Sequence, residues 1–377
     1  MATGLRVALV TEYFPPHLGG IGEHVIHLAR EARRRGALAD IVTSNLTGAV
    51  PEPGVIRIGE SAPVHAIGSM ARVTVGRGLR RAMRELLERG RYDVLHVHAP
   101  LTPSLPILAV EEASALGIPV VGTFHAYFER SLAYYFGRRF FQRLLDRLSA
   151  TICVSNAARD SVARYFDADW QIIPNGVDVD RFSPDAPRPA TIRQDVPAIV
   201  FVGRFDPRNG LDALLAAYRL VRRQRPDVQL VVVGDGPERE RYREMARDLE
   251  GVTFAGRVSA EALPGYYAAG AVYACPTVLG SFGITLLEAM ATGRPVVCYD
   301  TSGFRTVVRD GVEALMTPVG DVPAMAAALV RVLDDEALRR RMGQAGRQRA
   351  ATYAWPAVAD AVLGVYARLA AAASLAA

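Results

Sequence analysis

Lysine is absent from this 377-residue chain, so all 44 of its cationic side chains are arginine. A Schiff-base aldolase or a pyridoxal-phosphate enzyme needs a lysine amine that attacks a carbonyl group. A P-loop NTPase or a protein kinase normally places a lysine ammonium on the phosphates of its nucleotide. The absence of lysine therefore argues against these four classes of enzyme.

Cysteine and long apolar runs are also scarce. The three cysteines, Cys153, Cys275 and Cys298, are too few for a disulfide framework, and we expect reduced core residues in a cytoplasmic protein. The longest apolar stretches are as short as strands, whereas a membrane span needs about 20 apolar residues. The apolar segment 5–10 is too short for a cleavable signal sequence and leads into Thr-Glu-Tyr. With 50% hydrophobic and 22% charged residues, the composition is that of globular domains.

Short β-branched runs alternate with amphipathic stretches along the chain. In the first half they predict strands near 5–11, 38–43, 93–98, 118–124, 150–154 and 170–173. A proline-rich segment at 174–189 is typical of a linker. Beyond it we expect strands near 199–203, 229–233, 252–255, 271–275 and 295–298, followed by a mostly helical end. This alternation predicts parallel sheets covered on both faces, with ligands bound beyond the carboxyl ends of the strands.

Two other kinds of site find little support in the sequence. The G-x-G-x-x-G fingerprint of nicotinamide-binding enzymes does not follow the first strand, and the segment 234–237 lacks its third glycine. His96 and His98 share one face of a strand, and His24 and His27 share one face of a helix. No third ligand stands at a spacing typical of catalytic zinc. We therefore expect neither a nicotinamide cofactor nor a metal.

Four segments of the chain together carry a family resemblance. They are LGGIGEH at 18–24, GTFHA at 122–126, the segment from Gly203-Arg204 to Asn209-Gly210, and SFGITLLEAM at 281–290. Their order and spacing resemble the family 4 glycosyltransferases of the GT-B fold. The segments YDVLHVH at 92–98 and IPNGVD at 173–178 are similar to those of phosphatidylinositol mannosyltransferases. The resemblance covers nearly the whole chain.

The resemblance implies an architecture of two doubly wound, Rossmann-like domains that face a deep cleft. The N-terminal acceptor domain would span 1–180, and the domain that binds a nucleotide-sugar donor would span 181–355. The C-terminal helix, about 356–377, would cross back to pack on the first domain.

The resemblance also implies roles for individual residues. Arg204 would bind the donor diphosphate, Glu288 would accept hydrogen bonds from the ribose hydroxyls, and His125 would lie beside the reacting sugar. His125 and Arg204 are thus the candidate catalytic residues. A fixed cation and aligned N–H donors can stabilise a leaving diphosphate without a metal. The candidate donor-binding residues are Gly19, Gly20, Arg204, Arg208, Asn209, Gly234, Gly280, Ser281, Phe282, Gly283, Ile284 and Glu288.

Two positions depart from the family's pattern. Asn209 stands where the family usually has lysine, and Gly280 stands where it has a carboxylate that contacts the donor sugar. A hydrogen bond to a charged group contributes about 1.5–3 kcal/mol. Loss of the lysine therefore weakens stabilisation of the leaving group unless the adjacent Arg208 replaces it. The glycine at position 280 is compatible with a donor sugar other than the one the family usually uses. The two departures together also leave a second alternative, a protein that binds a nucleotide but does not catalyse transfer.

A basic helix and an aromatic run bear on the acceptor. Seven arginines and two acids between residues 72 and 91 give +5, which equals the net charge of the whole chain. Between residues 124 and 141, eight of eighteen residues are aromatic, and arginines interleave with them or follow. Both patterns suit an anionic membrane surface, although a solvated helix and a core helix explain them as well. The candidate acceptor or membrane residues are Arg77, Arg80, Arg81, Arg84 and Tyr127.

The resemblance implies a retaining, metal-independent glycosyltransferase without a cofactor. The enzyme would transfer a hexose to a lipid-linked or phosphatidylinositol-type acceptor. The expected donor is GDP-mannose, which would make the hexose mannose. The alternatives are transfer from UDP-glucose or another donor to a soluble acceptor, and an inactive nucleotide-binding protein of the same fold. We expect a cytoplasmic protein, and the basic helix leaves open peripheral binding to the inner face of the cell membrane. Nucleic acid is not an expected partner, because no nucleic-acid-binding motif accompanies the basic helix.

Overall fold

The computed structural model describes residues 4–15, 20–66 and 69–376. Its contacts divide the chain into two compact units. Unit 1 consists of residues 1–175 and 355–377, and unit 2 consists of residues 176–354. The first boundary thus lies five residues before the one expected from the sequence, within the proline-rich segment at 174–189.

Unit 1 contains a sheet that has eight strands within the described residues. The strands are β1 (Arg6–Val10), β2 (Leu38–Asn45), β3 (Val55–Ala66), β4 (Ser69–Val75), β5 (Val94–His98), β6 (Val120–Phe124), β7 (Ala150–Cys153) and β8 (Trp170–Ile172). Their spatial order is β4-β3-β2-β1-β5-β6-β7-β8, and the pairs are parallel except for β3 with β4. β5 and β6 are buried on both faces, as parallel strands covered by helices are.

Six helices connect the described strands of unit 1. They are α1 (Gly20–Arg34), α2 (Leu79–Gly90), α3 (Leu105–Ala115), α4 (Leu132–Phe136), α5 (Arg138–Leu145) and α6 (Asn156–Ala163). α1 carries Glu23 in its first turn and Arg33 and Arg34 in its last, an arrangement that complements the helix dipole. Its apolar face packs on the core of the sheet through Val25, Leu28 and neighbouring residues.

Unit 2 contains a fully parallel sheet, which has six strands within the described residues. The strands are β9 (Ala198–Val202), β10 (Gln229–Val233), β11 (Val252–Gly256), β12 (Val272–Cys275), β13 (Val296–Tyr299) and β14 (Ala314–Thr317), in the order β11-β10-β9-β12-β13-β14. The helices are α7 (Leu211–Gln224), α8 (Arg239–Met245), α9 (Leu263–Ala269), α10 (Ile284–Ala291), α11 (Phe304–Val307), α12 (Val322–Asp334) and α13 (Glu336–Ala351). The three cysteines are free and buried in the two units.

The last helix, α14 (Trp355–Ala376), belongs to unit 1. It buries Trp355, Val362 and Tyr366 in the same core as the apolar face of α1. Residues 355–375 form a helix that is long and apolar enough to cross a membrane by length and composition alone, the one such helix within the described residues. The apolar runs of the sequence do not predict it, because Asp360 and Arg368 interrupt the segment.

The two doubly wound sheets confirm the predicted fold class. Every predicted strand is present, and its ends lie within two residues of the expected ones. The antiparallel pair β3–β4 was not predicted, because Gly59 and Pro63 interrupt β3 with residues that normally weaken a strand. The edge strand β14 and the short helix α4 were not predicted either.

Candidate active site

In each unit, the candidate residues gather where the order of the strands reverses. In unit 1 this point lies between β1 and β5, and in unit 2 it lies between β9 and β12. Loops that leave such strands turn to opposite faces of the sheet and form a crevice for ligands. We call the histidines 24, 96, 98 and 125 with Asn175 the unit 1 site. We call Arg204, Asn209, the loop 280–284 and Glu288 the unit 2 site.

The loop after β9 holds Arg204 beyond the carboxyl ends of the strands of the unit 2 sheet. The Arg204 side chain is exposed, and the side-chain amide of Asn209 donates to the Arg204 carbonyl oxygen over 2.8 Å. The Asp206 carboxylate accepts from the backbone N–H of Arg208 and caps a single 3-10 turn at 207–209. Asn209 therefore fixes the backbone that carries Arg204. The half-exposed Arg208 guanidinium has Nε 3.7 Å from Asp206 Oδ1.

Glycines bring three loops of unit 2 into backbone contact. A Cβ atom on Gly234, after β10, would lie 1.9 Å from the carbonyl oxygen of Gly203, after β9. A Cβ atom on Gly210 would lie 2.1 Å from the carbonyl oxygen of Pro276, after β12. Both glycines have φ in the left-handed region, at +131° and +68°. Gly234 therefore supports the loop of Arg204 by close packing.

The loop 280–284 leads into α10. Gly283 precedes the helix with φ +101°, and the Phe282 side chain is buried, so Phe282 can offer a ligand only its backbone. Ser281 and Ile284 are partly buried. The first N–H groups of a helix lack intrahelical partners and favour anions. A Cβ atom on Gly280 would lie 2.5 Å from the ring of Phe304, so that ring fills the space of a side chain at position 280.

Glu288 on α10 is oriented by a tyrosine that the sequence did not point to. The Tyr267 hydroxyl, on α9, donates to Glu288 Oε2 over 2.7 Å. Burial and then the Glu288 carboxylate raise the pKa of Tyr267 well above its ordinary value, so the hydroxyl keeps its proton. No signal in the sequence distinguishes Tyr267 from an ordinary core tyrosine.

The unit 1 site is a cluster of four imidazoles. His96 and His98 lie on β5, His125 follows β6, and His24 lies on α1. His98 Nδ1 is 3.0 Å from His125 Nε2, and the His24 ring centroid lies 5.3 and 5.1 Å from those of His98 and His125. The adjacency of β1, β5 and β6 in the sheet brings these side chains together.

Other side chains of unit 1 fix the imidazoles. His24 Nδ1 is 2.9 Å from Asn175 Oδ1, and His96 Nε2 is 2.7 Å from Thr123 Oγ1. His96 Nδ1 is hydrogen-bonded to the hydroxyl of Tyr366 on α14. Neither Nε2 of His24 nor Nε2 of His98 has a hydrogen-bond partner within the described residues. The cluster is thus held firmly and keeps two unused ring nitrogens.

Burial keeps the unit 1 site uncharged at neutral pH. Removal from water lowers the pKa of His24 to about 4 and that of His96 to about 3. The same cause, with the neighbouring imidazoles, lowers the pKa of His98 and His125 well below the ordinary value. His24, His96 and His98 are at most 2% exposed, whereas His125 is partly exposed. His125 is therefore the member of the cluster that a ligand can reach.

A metal site does not emerge from this cluster. Across residues 4–15, 20–66 and 69–376, no group of three or more histidine, cysteine or acidic side chains is arranged to hold a metal ion. A neutral imidazole can still donate to or accept from a hydroxyl group. The site suits hydrogen bonding to an uncharged polar ligand such as a sugar.

The arginines of α2 lie in ion pairs rather than on a uniformly basic surface. Arg80 pairs with Glu111 and Glu112 of α3, and Arg84 also reaches Glu112, whose side chain is only 4% exposed. Three further pairs lie along α2: Arg81 with Glu85, Arg84 with Glu88, and Arg89 with Glu85. These contacts neutralise much of the positive charge that the sequence indicates.

The remaining candidates are scattered through unit 1. Arg77 is exposed just before α2, and Tyr127 is partly buried in the loop after β6. Gly20 begins α1, while Gly19 lies outside the described residues.

Solved structures place the fold in a known class. Sucrose-phosphate synthase from Thermosynechococcus elongatus superimposes with a TM-score of 0.80 at 24% identity, covering 98% of this chain and 100% of that one. Anabaena HepE, solved with UDP and glucose, gives 0.77 at 19% identity, covering 96% and 99%. The chain therefore has the GT-B fold, a fold of glycosyltransferases.

Sequence comparisons then identify the family. The chain matches the models for Glycosyltransferase Family 4 over 18–181 and for Glycosyl transferases group 1 over 183–349. It is 34% identical to phosphatidyl-myo-inositol mannosyltransferase of Mycolicibacterium smegmatis over 96% of this chain and 93% of that protein. It is 30% identical to D-inositol 3-phosphate glycosyltransferase of Kribbella flavida over 96% and 95%. The chain belongs to the family 4 glycosyltransferases.

Proposed function

We propose that this glycosyltransferase transfers mannose from GDP-mannose to a phosphatidylinositol-type lipid, with retention of the anomeric configuration and without a metal. The observation that carries the proposal is the 34% identity to phosphatidyl-myo-inositol mannosyltransferase, which extends over 96% of the chain. The similarity runs through both units, so it includes both candidate sites.

The unit 2 site has the chemistry to hold the donor. The Arg204 guanidinium and the N–H groups at the start of α10 would face the diphosphate, whose negative charge grows as it leaves. Glu288, oriented by Tyr267, would accept from the ribose hydroxyls. These groups supply fixed positive potential from the protein itself, which supports the proposal of metal-independent transfer.

The unit 1 site has the chemistry to hold the reacting sugar. His125 is partly exposed and hydrogen-bonded to His98, so its neutral imidazole can bind a sugar hydroxyl in a fixed orientation. In the retaining reaction that we propose, the bond from the sugar to the donor phosphate breaks. The acceptor hydroxyl forms the new bond on the same face, and its proton passes to the leaving phosphate. No side chain is required as a nucleophile.

A second candidate function has its own support. The 30% identity to D-inositol 3-phosphate glycosyltransferase favours a soluble inositol phosphate as the acceptor. Gly280 supports a donor sugar other than mannose, because Phe304 fills the space where a carboxylate would contact the sugar. An inactive nucleotide-binding protein is the outcome if Asn209 and Gly280 have abolished turnover.

Thermal unfolding with GDP, UDP, ADP and their common sugar conjugates would identify the donor. A ligand at about 100 times its Kd adds roughly 2.7 kcal/mol to the free energy of unfolding. We expect GDP to stabilise the protein and GDP-mannose to stabilise it more. Stabilisation by UDP and UDP-glucose instead would reject the GDP-mannose assignment, and no stabilisation by any nucleotide would favour a disrupted donor site.

Product analysis would then identify the acceptor. Purified protein is incubated with the stabilising donor and either dioctanoyl phosphatidylinositol or inositol 3-phosphate, with and without EDTA. We expect the mannosylated lipid, with the anomeric proton of an α-linked sugar in its NMR spectrum, in both conditions. A product formed only on inositol 3-phosphate would establish the second candidate function.

A further inference from the structure

An exposed apolar and basic surface lies on α4 and α5 of unit 1. Its members, which we call the α4–α5 patch, are Leu132, Tyr135, Phe136, Arg138, Arg139, Phe140 and Arg143. Leu132 is 74% exposed, Tyr135 67%, Phe136 81% and Phe140 53%. Four large apolar side chains within nine residues therefore face away from the core.

Core packing explains the aromatic side chains of this segment that face inward, but not the exposed ones. The Tyr134 ring packs against Phe141 and Phe166 with ring centroids 5.1 Å apart in both pairs. Leu144 and Leu145 of α5 are buried as well. The inward side chains anchor the two helices. The outward rings contact their neighbours in the chain, Tyr135 with Phe136 and Phe140 with Phe141, but remain mostly exposed.

The patch is positively charged as well as apolar. Residues 132–147 contain four arginines and one aspartate, a net charge of +3 against +5 for the whole chain. Arg138 lies 3.8 Å from the exposed Asp167. Within the part of the chain that the structure describes, neither Arg139 nor Arg143 forms an ion pair. This is the reverse of α2, whose arginines 80, 81 and 84 are all paired with glutamates.

We infer that the α4–α5 patch docks the protein on the surface of an anionic phospholipid bilayer. Aromatic rings favour the boundary between headgroups and hydrocarbon, and arginines favour the phosphates above it. A second copy of this chain fits less well, because a symmetric contact would bring the arginines of the two patches together.

The position of the patch in the chain connects it with the candidate site. His125 precedes Leu132 by seven residues, in the loop that leads from β6 to α4. The patch would therefore bring the segment that carries His125 to the lipid surface. This deepens the proposed function, because it states where a lipid acceptor would be met.

Vesicle flotation with the full chain tests the inference. The vesicles contain phosphatidylcholine alone or with 30% phosphatidylglycerol, and neither contains inositol lipid. One variant removes the aromatic side chains (Phe136→Ser with Phe140→Ser), and a second removes the charges (Arg138→Gln, Arg139→Gln and Arg143→Gln). The matched control removes three charges around α2 (Arg77→Gln, Arg81→Gln and Arg89→Gln).

The expected result is binding to the phosphatidylglycerol vesicles that weakens as salt is raised. A cation near an anionic surface changes the partition coefficient roughly fivefold, so the charge variant should bind about 100-fold more weakly. The aromatic variant should lose at least tenfold, and the α2 control should stay within about threefold of the wild type. Loss in the α2 control with retention in both patch variants would overturn the inference. Wild-type protein that forms a dimer broken by the aromatic variant would assign the patch to self-association instead.

Transfer assays separate this inference from the proposed function. If both are right, the patch variants keep transfer to dispersed dioctanoyl phosphatidylinositol and lose transfer to vesicle-embedded phosphatidylinositol. If the wild type glycosylates neither acceptor, the proposed function fails, while flotation still decides the docking surface.

Discussion

The two units have similar sheets, but different kinds of side chain lie at the point where the strand order of each sheet reverses. All seven histidines and both tryptophans of the chain lie in unit 1, and unit 2 has neither residue type. The unit 1 site is built from neutral, largely buried imidazoles. The unit 2 site is built from an exposed arginine, glycine-rich backbone and one oriented carboxylate. The comparison shows that the fold determines where a ligand binds, whereas the side chains at that place determine which ligand.

The largest expected difference between the units is their response to acid. The pKa of His24 is lowered to about 4 and that of His96 to about 3, from an ordinary value of 6.5. Between pH 6.5 and 4 the unfolded chain therefore binds protons that folded unit 1 does not bind, so its stability falls as the pH falls. Each imidazole contributes up to about 1.4 kcal/mol per pH unit, and we expect a loss of about 3 kcal/mol or more between pH 7 and 4.5.

Tryptophan fluorescence during urea unfolding measures this loss, because Trp170 and Trp355 both lie in unit 1. Unit 2 is the internal control, since it contains no histidine. Hydrogen exchange, corrected for the intrinsic rates, should show little change in its strands over the same pH range. If the unfolding midpoint of unit 1 stays constant between pH 6.5 and 5, the imidazoles of the unit 1 site are not held neutral by folding.

Removal of the exposed cation of the unit 2 site should cost about 100-fold in turnover. Arg204→Ala leaves the growing charge of the donor diphosphate without its guanidinium, and loss of one such donor typically costs about 10²–10³ in kcat. Steady-state kinetics with the donor found by thermal unfolding measures the effect. Arg223→Ala on α7 is the matched control, because this arginine is exposed at the end of its helix. Near-wild-type turnover of Arg204→Ala would reject the assignment.

The packing at Gly280 predicts a change in stability confined to unit 2. Gly280→Ala would bring a Cβ atom to 2.5 Å from the Phe304 ring, and overpacking of this kind costs about 1–3 kcal/mol. Circular dichroism should show a lower melting temperature, while tryptophan fluorescence of unit 1 is unchanged. Adding Phe304→Leu should recover part of the loss, since the smaller side chain leaves room for the methyl group. Equal losses with and without Phe304→Leu would show that the ring is not the obstacle.

The smallest effect is expected at the hydrogen bond between Tyr267 and Glu288. Tyr267→Phe removes a bond to a carboxylate and should weaken nucleotide binding about fivefold, because Glu288 loses its orientation. Titration calorimetry with the stabilising nucleotide measures this change. Tyr266→Phe is the matched control, since its hydroxyl lies 3.2 Å from Thr191 Oγ1. Equal affinities of the two variants would show that Tyr267 does not position Glu288.

Sequence periodicity predicted the described strands of both units except β3, β4 and β14, because each predicted strand is a short apolar run between helical segments. It did not predict β3, in which Gly59 and Pro63 break the pattern, although the antiparallel pair with β4 holds the strand in place. The family resemblance assigned His125 a role, but the pairing of His125 with His98 depends on the adjacency of β5 and β6.

Charge patterns along one helix proved least informative about the surface. The seven arginines around α2 predict a basic face, but α3 supplies Glu111 and Glu112, which lie far along the chain. A count within one segment cannot include partners that only the tertiary structure brings near. The same limit applies to Gly280, because its neighbour Phe304 belongs to α11, which follows β13.

The return of α14 to unit 1 has a consequence for folding during synthesis. Residues 1–175 leave the ribosome first, but their core lacks Trp355, Val362 and Tyr366 until all of unit 2 has been translated. Until then, α1 has no cover for part of its apolar face, and His96 lacks the hydroxyl of Tyr366. Unit 2 is one continuous stretch of chain, 176–354, whereas unit 1 is complete only when α14, which follows unit 2, has been synthesised.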